Sequence, residues 1–330
     1  LDAHNAFIFN IEEFYSLQKR QLPWRKDNPD PYEVWLSEVI MQQTRIAQGT
    51  PYFTKIVKRY PTIEALAKAE EDELLGLWTG LGYYSRARNL LAGAQQIALE
   101  FKGKMPQRSK DLLSIKGIGP YTAAAIASIC FGERKGVVDG NVYRVLSRYF
   151  GIQTAINATA GIKEFQSLAD HLIGYAQHPG NYNQGLMEFG ALQCVPKNPD
   201  CTHCPMKDHC TAFNTNSVSK LPVKIKKGTR SLEVIHFAVV QRDEQFAFQK
   251  RATKGIWGGL HEFPRLANEP VGGLLLKGPI VHKLSHKDLL CHFWQAEESQ
   301  VTEDFTYYSK SKIKEMGMPI IIADFVNNTK

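Results

Sequence analysis

No stretch of this sequence stays apolar over the roughly 20 residues that a membrane-spanning helix needs. Residues 1–14 also lack the basic-then-apolar pattern of an export signal. The expectation is a soluble protein that stays inside the cell, and the absent initiator Met points to a processed or trimmed chain. Long-period repeats and low-complexity tracts are missing too. Cysteine is scarce, with 6 in 330 residues, yet four of them fall within residues 194–210. A secreted disulfide scaffold would spread its cysteines over a smaller chain, so this clustering points to a metal site. Acidic residues are outnumbered, 33 against 40 Lys and Arg, for a formal net charge of +7. That charge suits a polyanionic partner, although many unrelated soluble proteins are equally basic. A hydrophobic content of 43% excludes global disorder, and 330 residues are long for one domain, so two are expected.

Residues 4–213 read as almost entirely helical. Phe7, Ile11, Phe14 and Leu17 recur at helical spacing, and Val34, Trp35 and Leu36 lead a second run through Thr44. Gly80, Gly82, Pro106, Gly117, Gly119 and Gly136 punctuate the rest. Residues 217–230 hold Lys220, Lys224, Lys226, Lys227 and Arg230 with no acidic residue, and 215–230 reads as a basic linker. Beyond it, 232–240, 245–250, 289–294 and 320–325 have strand-like composition, so 231–330 is expected to be α+β.

Cys194, Cys201, Cys204 and Cys210 give C-x6-C-x2-C-x5-C. Four thiolates on so compact a loop can wrap one metal centre and leave little room for two disulfides. Structural zinc is the alternative, although zinc ribbons usually separate two C-x2-C pairs by a longer stretch. His203 and His209 lie nearby, in a basic loop where solvation is the ordinary outcome.

Residues 112–123, LLSIKGIGPYTA, read as helix, tight turn, helix. Gly117 and Gly119 allow backbone angles closed to other residues and a close approach to a surface. Pro120 suits the first turn of the following helix, whose free N–H groups make a phosphate site that reads no sequence. A plain αα-hairpin with a glycine turn is the alternative. About 20 residues on, Val137-Val138-Asp139-Gly140-Asn141-Val142 sets a carboxylate at the head of another helix, where Asp is also an ordinary N-cap. Glu38 stands within WLSEVIMQQT, residues 35–44, whose bulky apolar neighbours could raise its pKa and keep a proton on it. A solvent-facing helix Glu is the bland reading. Two carboxylates in different environments can divide labour, one giving a proton and one stabilising positive charge, as they do in sugar hydrolysis.

Together these features resemble the MutY-type adenine glycosylases of the endonuclease III, or helix–hairpin–helix, superfamily. The resemblance rests on the cysteine spacing, the hairpin with its Gly/Pro-rich loop and Asp139, and above all W-L-S-E-V-x-x-Q-Q-T. It covers nearly the whole chain, more strongly over 10–214 than over 231–330. It implies a mostly α helix–hairpin–helix glycosylase domain over 1–214, made of two helical lobes and an iron–sulfur loop at 194–210. The basic linker 215–230 would then lead to a smaller α+β MutT/Nudix-like domain over 231–330. The four cysteines would hold a structural 4Fe–4S cluster that positions Lys197 and Lys207 toward phosphate. Glu38 matches the acid that protonates adenine, and Asp139 the carboxylate that stabilises the sugar cation; Tyr121 and Asn141 match residues that support the site. Leu22, Trp24, Arg25 and Gln184 match residues around an extruded adenine, core packing being the alternative for Trp24. Gln43 and Tyr83 match duplex wedges. Gln42, Thr44, Arg45, Arg86, Arg88, Lys116, Gly117 and Gly119 are the remaining implied DNA contacts, the arginines as backbone contacts or surface charges.

Residues 255–264, GIWGGLHEFP, look like the W-x-F-P region of the family's MutT-like domain. Residues 231–330 contain no G-x5-E-x7-R-E-x-x-E-E box and so no evident magnesium site, so this domain is expected to read a lesion. Where the family reads 8-oxoguanine with F-S-H, this chain has Leu284, Ser285 and His286, which keeps the polar pair and replaces the aromatic. The linker carries no Cys set, so the extra zinc site of some larger relatives is not expected. The resemblance thus implies a monomeric intracellular enzyme, in the cytoplasm or nucleoid of a bacterium or the nucleus or mitochondrion of a eukaryote. Its substrate would be duplex DNA with adenine opposite 8-oxoguanine or G. Two other readings stand beside it. A bifunctional lyase for oxidised pyrimidines is opposed by Glu38 and by Tyr121, where such lyases carry a Lys that forms a Schiff base. A non-catalytic DNA-binding module or a nucleotide hydrolase is opposed by the retained carboxylates and by the missing box. Tyr121 therefore predicts that borohydride traps no covalent protein–DNA adduct; efficient trapping abolished by replacing a Lys would reverse this.

Overall fold

The computed structural model describes residues 3–226, 230–284 and 287–329. Ser285 and His286 lie outside the described residues. The chain groups into two compact units, one of residues 1–45, 62–64 and 92–226, the other of 46–61, 65–91 and 227–330. Up to residue 214 the elements are α1 (Ala3–Gln18), α2 (Pro31–Met41), α3 (Ile46–Arg59), α4 (Ile63–Ala67), α5 (Glu71–Trp78) and α6 (Ser85–Glu100). They continue with α7 (Ser109–Leu112), α8 (Pro120–Phe131), α9 (Gly140–Phe150), α10 (Thr159–Ile173), α11 (Pro179–Leu192) and α12 (Thr211–Asn214).

The first unit is built round α8. Its residues from Thr122 to Ser128 are all buried, so it runs through the core as a helix with no polar stripe. Pro120 occupies its first turn, and Gly132 in the left-handed region ends it. Phe7, Ile11, Val142, Leu146, Phe165, Leu172, Tyr182 and Phe189 close the core from α1, α9, α10 and α11. The stripe expected on α1 is shorter than the helix: Phe7 and Ile11 are fully buried and Phe14 packs against the core, but Leu17 is 73% exposed. Helix α11 comes nearest α1 at Gly185, beside Ile11 and Tyr15, and Leu17 lies beyond that approach.

The hairpin glycines differ from expectation. Gly117 has φ +82°, the left-handed region that favours glycine, whereas Gly119 is extended at φ −93°, open to any residue. Gly119 has only open space where a side chain would stand, which suits close approach to a surface. The segment expected as a linker is bound to the first unit as far as residue 225. Ile156 N donates to Val223 O at 3.0 Å, and the Asn157 side chain pairs with both backbone groups of Ile225 at 2.9 Å.

The second unit contains β1 (Ser231–Val239), β2 (Gln241–Arg242), β3 (Gln245–Lys250), β4 (His261–Glu262), β5 (Arg265–Leu266), β6 (Leu275–Lys283), β7 (Lys287–Gln295) and β8 (Thr306–Ser309). They are followed by α13 (Lys310–Ile313) and α14 (Ile320–Asn328). One sheet has the order β5-β1-β7-β6, with β1 and β7 parallel; in the other, β3 lies between β2 and β4 and also pairs β8. Ile235, Phe237, Phe248, Phe263, Phe293 and Phe325 fill the core. Residues 320–325, read as a strand, are helical. Ile321, Ile322, Phe325 and Val326 are buried, which is one face of a 3.6-residue repeat and not an alternation, and Pro319 stands at the N-cap.

The approach of α11 to α9 is set at Gly190, where a Cβ would meet Asn141 Cβ at 2.6 Å. Gly190→Ala is expected to destabilise the protein by about 1–3 kcal/mol, measured by chemical denaturation.

Candidate active site

Helix α2 carries Glu38. Asp30 caps it by accepting from Tyr32 N at 2.8 Å, Pro31 starts it, and Val34 to Ser37, Val39 and Ile40 are buried around Glu38. The residue keeps some exposure, but protein crowds its carboxyl. Burial pushes the Glu38 carboxyl up to about 7; the neighbouring Asp139 adds to this, while a hydrogen bond with Tyr121 and the charge of Arg25 pull the other way. Burial, with Glu38 and Asp139 beside it, raises the Tyr121 hydroxyl well above its ordinary range. That hydroxyl also lies 3.1 Å from Met187 Sδ on α11.

Asp139 caps α9. Its Oδ1 accepts from Asn141 N at 2.9 Å and Val142 N at 2.8 Å, and its Oδ2 from Asn141 Nδ2 at 2.8 Å. Burial raises its pKa, while these donors and the charge of Arg144 favour the ionised form. A carboxyl raised by burial thus lies within electrostatic reach of a second carboxyl fixed by donors, an arrangement in which one group can act as acid and the other meet positive charge.

Behind Asp139 the bonds continue inward. Arg144 Nη2 donates to Asn141 Oδ1 at 2.9 Å and Gly190 O at 2.6 Å, and its Nε to Cys194 O at 2.7 Å. One turn on, Arg148 reaches Cys194 Sγ at 3.4 Å, Val195 O at 2.8 Å and Pro196 O at 3.1 Å, with Val218 O and Leu221 O on its other side. Cys194, Cys201, Cys204 and Cys210 all line one cavity with Arg148, Tyr149, Phe189 and Met206. Burial raises the thiols of Cys201, Cys204 and Cys210, that of Cys204 to about 11. Among the described residues no three His, Cys, Asp or Glu side chains stand close enough to hold a single metal ion. His203 is exposed and bonded to Asp200. Arg144 and Arg148 were not singled out from the sequence, although two arginines four apart among apolar neighbours in NVYRVLSRYF were a signal that both turn inward.

Trp24, Arg25 and Gln184 line a second cavity of about 330 Å³ together with Tyr15 and Arg20. Leu22 is half-buried and receives Arg25 N on its carbonyl at 2.9 Å. The Arg25 guanidinium is bonded to the buried Glu188, a residue absent from the sequence expectations.

Gln42, Gln43, Thr44 and Arg45 follow the end of α2, with Gln43 exposed at φ +58°. Lys116 and Gly117 are exposed, and Lys116 N donates to Gln96 Oε1 at 2.9 Å. In the second unit Tyr83 is 51% exposed at φ +49°. Arg86 is not a surface charge. It is buried, donates to Leu81 O and Gly82 O, and lies over the Trp78 and Tyr83 rings; burial lowers its pKa to about 10. Arg88 is likewise engaged, with Gly258 O at 2.5 Å. Leu284 packs partly against the core, its N–H donating to Lys287 O at 2.8 Å, and it lines a cavity with Tyr83, Arg88, Trp257 and His282.

The family model of the HhH-GPD superfamily of base excision DNA repair proteins matches residues 36–170, and that of the NUDIX domain matches 235–328. An adenine DNA glycosylase of Buchnera aphidicola subsp. Schizaphis graminum is 38% identical over 261 residues, 78% of this chain and 75% of the relative. The adenine DNA glycosylase of Mus musculus is 43% identical over 216 residues, 63% of this chain and 42% of the relative. Among solved structures, a thermostable thymine-DNA glycosylase superposes with a TM-score of 0.59 at 28% identity, covering 64% of this chain and 97% of that one. With such identity across most of a curated relative, the chain belongs to the adenine DNA glycosylases, hydrolases of N-glycosyl bonds.

Proposed function

We propose that this chain removes adenine from duplex DNA where it is paired with 8-oxoguanine or G, and leaves the strand uncut. The observation that carries the reading is the Glu38 carboxyl, held by burial near the proton affinity of neutral solution beside the donor-fixed Asp139. Adenine leaves the stack and enters the site. Glu38 gives its proton to a ring nitrogen of adenine, and the C1′–N9 bond breaks with its electron pair going to the base. Asp139 faces the resulting sugar cation, water adds at C1′, and its proton leaves to a carboxylate. Tyr121 and Asn141 hold the two carboxyls, and no amine stands at Tyr121 to continue into strand cleavage. Trp24, Arg25, Leu22 and Gln184 wall the base. Gln42 to Arg45, Lys116, Gly117, Gly119 and the exposed Tyr83 meet the duplex, while Arg86 braces the turn that carries Tyr83 and Arg88 braces the backbone at Gly258.

Four thiols round one cavity, at the spacing C-x6-C-x2-C-x5-C, support a 4Fe–4S cluster. Such a cluster, when bound, supplies a rigid cross-link of the loop 194–210. We assign the glycosylase to 1–214, the linker to 215–230 and lesion reading to 231–330, with Ser285 and His286 as polar contacts and Leu284 as their apolar neighbour. The protein would act as a monomer wherever the cell keeps its DNA.

Duplexes carrying A opposite 8-oxoguanine, G or T test the reading. Alkali-dependent cleavage at A is expected opposite 8-oxoguanine and G only. The single-turnover rate should fall about tenfold per pH unit above roughly pH 7, as the raised Glu38 loses its proton. Glu38→Gln should lower the rate by about 10²–10⁴, and a fully active variant would sink the mechanism. Brown colour with bound iron and acid-labile sulfide is expected of the purified protein; a colourless zinc protein, purified with and without air, would overturn the cluster.

A further inference from the structure

Glu188 has no part in the chemistry above, yet its side chain is 1% exposed and surrounded by cations. Its Oε1 accepts from Arg20 N at 2.9 Å, Arg20 Nε at 2.8 Å and Arg25 Nη1 at 3.0 Å; its Oε2 accepts from Arg20 Nη2 at 2.7 Å and Arg25 Nη2 at 2.9 Å. Arg25 also donates to Arg20 O at 3.2 Å and rests over the Tyr15 ring, 5.6 Å from its centre. Two guanidiniums around one carboxylate leave a single net positive charge. Arg20 and Arg25 line the cavity that holds Trp24 and Gln184, and Gln184 and Glu188 are four apart on α11, so they share a face. Met187, beside Glu188, touches the Tyr121 hydroxyl. One helix thus carries a wall of the base cavity, the clamp on its arginines and a contact to the Glu38 partner.

We infer that Glu188 is a positioning residue for base excision: it fixes Arg20 and Arg25 as a half-neutralised pair along the base cavity and so restrains the positive charge that Arg25 brings toward Glu38. The inference rests on the reading of Glu38 as the acid. The groups that face Glu38 are Tyr121 and Cys130 of α8, Asp139 at the head of α9, and Arg25. Those that face Arg25 are Glu188 of α11, Tyr15 of α1 and Arg20, with Lys19, Lys26 and Asp27 along the same cavity. Asp139 adds negative charge beside Glu38 and Arg25 adds positive charge. Loss of the Glu188 charge tips this balance toward ionised Glu38 without touching Glu38 itself.

The test uses the full chain, a duplex with A opposite 8-oxoguanine, and single-turnover excision rates from about pH 5 to about pH 9. In Glu188→Gln the alkaline limb should move about one unit lower. The rate near pH 7.5 should then fall roughly tenfold while the acid plateau and the affinity for the duplex stay. Glu188→Asp keeps the charge and should restore the limb. Arg25→Met removes the restrained cation and should move the limb to higher pH, and in that background Glu188→Gln should shift it no further. The Arg25→Met arm decides the matter should Glu188→Gln fail to fold. A limb that stays in place in both single variants, with rates lowered evenly at every pH, would assign Glu188 a structural role and overturn the inference alone. A wild-type chain that releases no adenine at any pH would overturn the underlying reading, and the inference with it.

Discussion

Desolvation is the constraint on which this site depends. Three carboxyls of the helical unit are taken out of water, and burial pushes each of them toward the neutral acid. The donors that meet them decide the outcome. Glu38 is met by one phenol, and its pKa rises to about 7. Asp139 meets two backbone N–H groups and an amide, which favour its ionised form against the burial. Glu188 meets five donors from two arginine residues and is held down at about 2. Three different carboxyl environments are thus made from one functional group by the donors that meet it.

Secondary structure sets where those donors and carboxyls stand, although only three of the donors, the N–H groups of Arg20, Asn141 and Val142, are backbone. Asp139 is fixed in place because it caps a helix, and Glu38 is crowded because α2 is apolar on most sides. The cysteine loop belongs to the same framework. Arg144 joins the cap of α9 to the carbonyl of Cys194, and Arg148 joins the sulfur of Cys194 to the strap at 218–221. A shift in the loop is therefore felt at Asn141 within two hydrogen bonds.

Much of this was legible in the sequence, and the exceptions have physical causes. Glu38, Asp139 and the four cysteines were readable because their spacing along the chain carries the information. The hairpin followed from its turn residues, and strands β1, β3 and β7 from β-branched and aromatic composition. Glu188, Arg144 and Arg148 were not, since a charged residue in a helix is usually solvated, and only a partner more than 45 residues away turns these inward. Arg86 was misplaced for a different reason: it turns onto the nearby backbone carbonyls of Leu81 and Gly82, which no side-chain pattern announces. In α14 the β-branched run Ile320 to Ile322 favoured a strand, and tertiary packing of one helical face overrode it. Gly119 looked like a conformational necessity, but its backbone is extended, so its small size is what matters.

Gln43 and Tyr83 share one further property. Neither is glycine, yet both hold a left-handed backbone, at φ +58° and +49°, and both are exposed. Such a conformation costs on the order of 1–3 kcal/mol and persists only where the surroundings over-determine it. Folding therefore sets the backbone under each of these exposed side chains at the tip of its turn. Were the two to meet a duplex as proposed, less backbone entropy would be left to lose on binding.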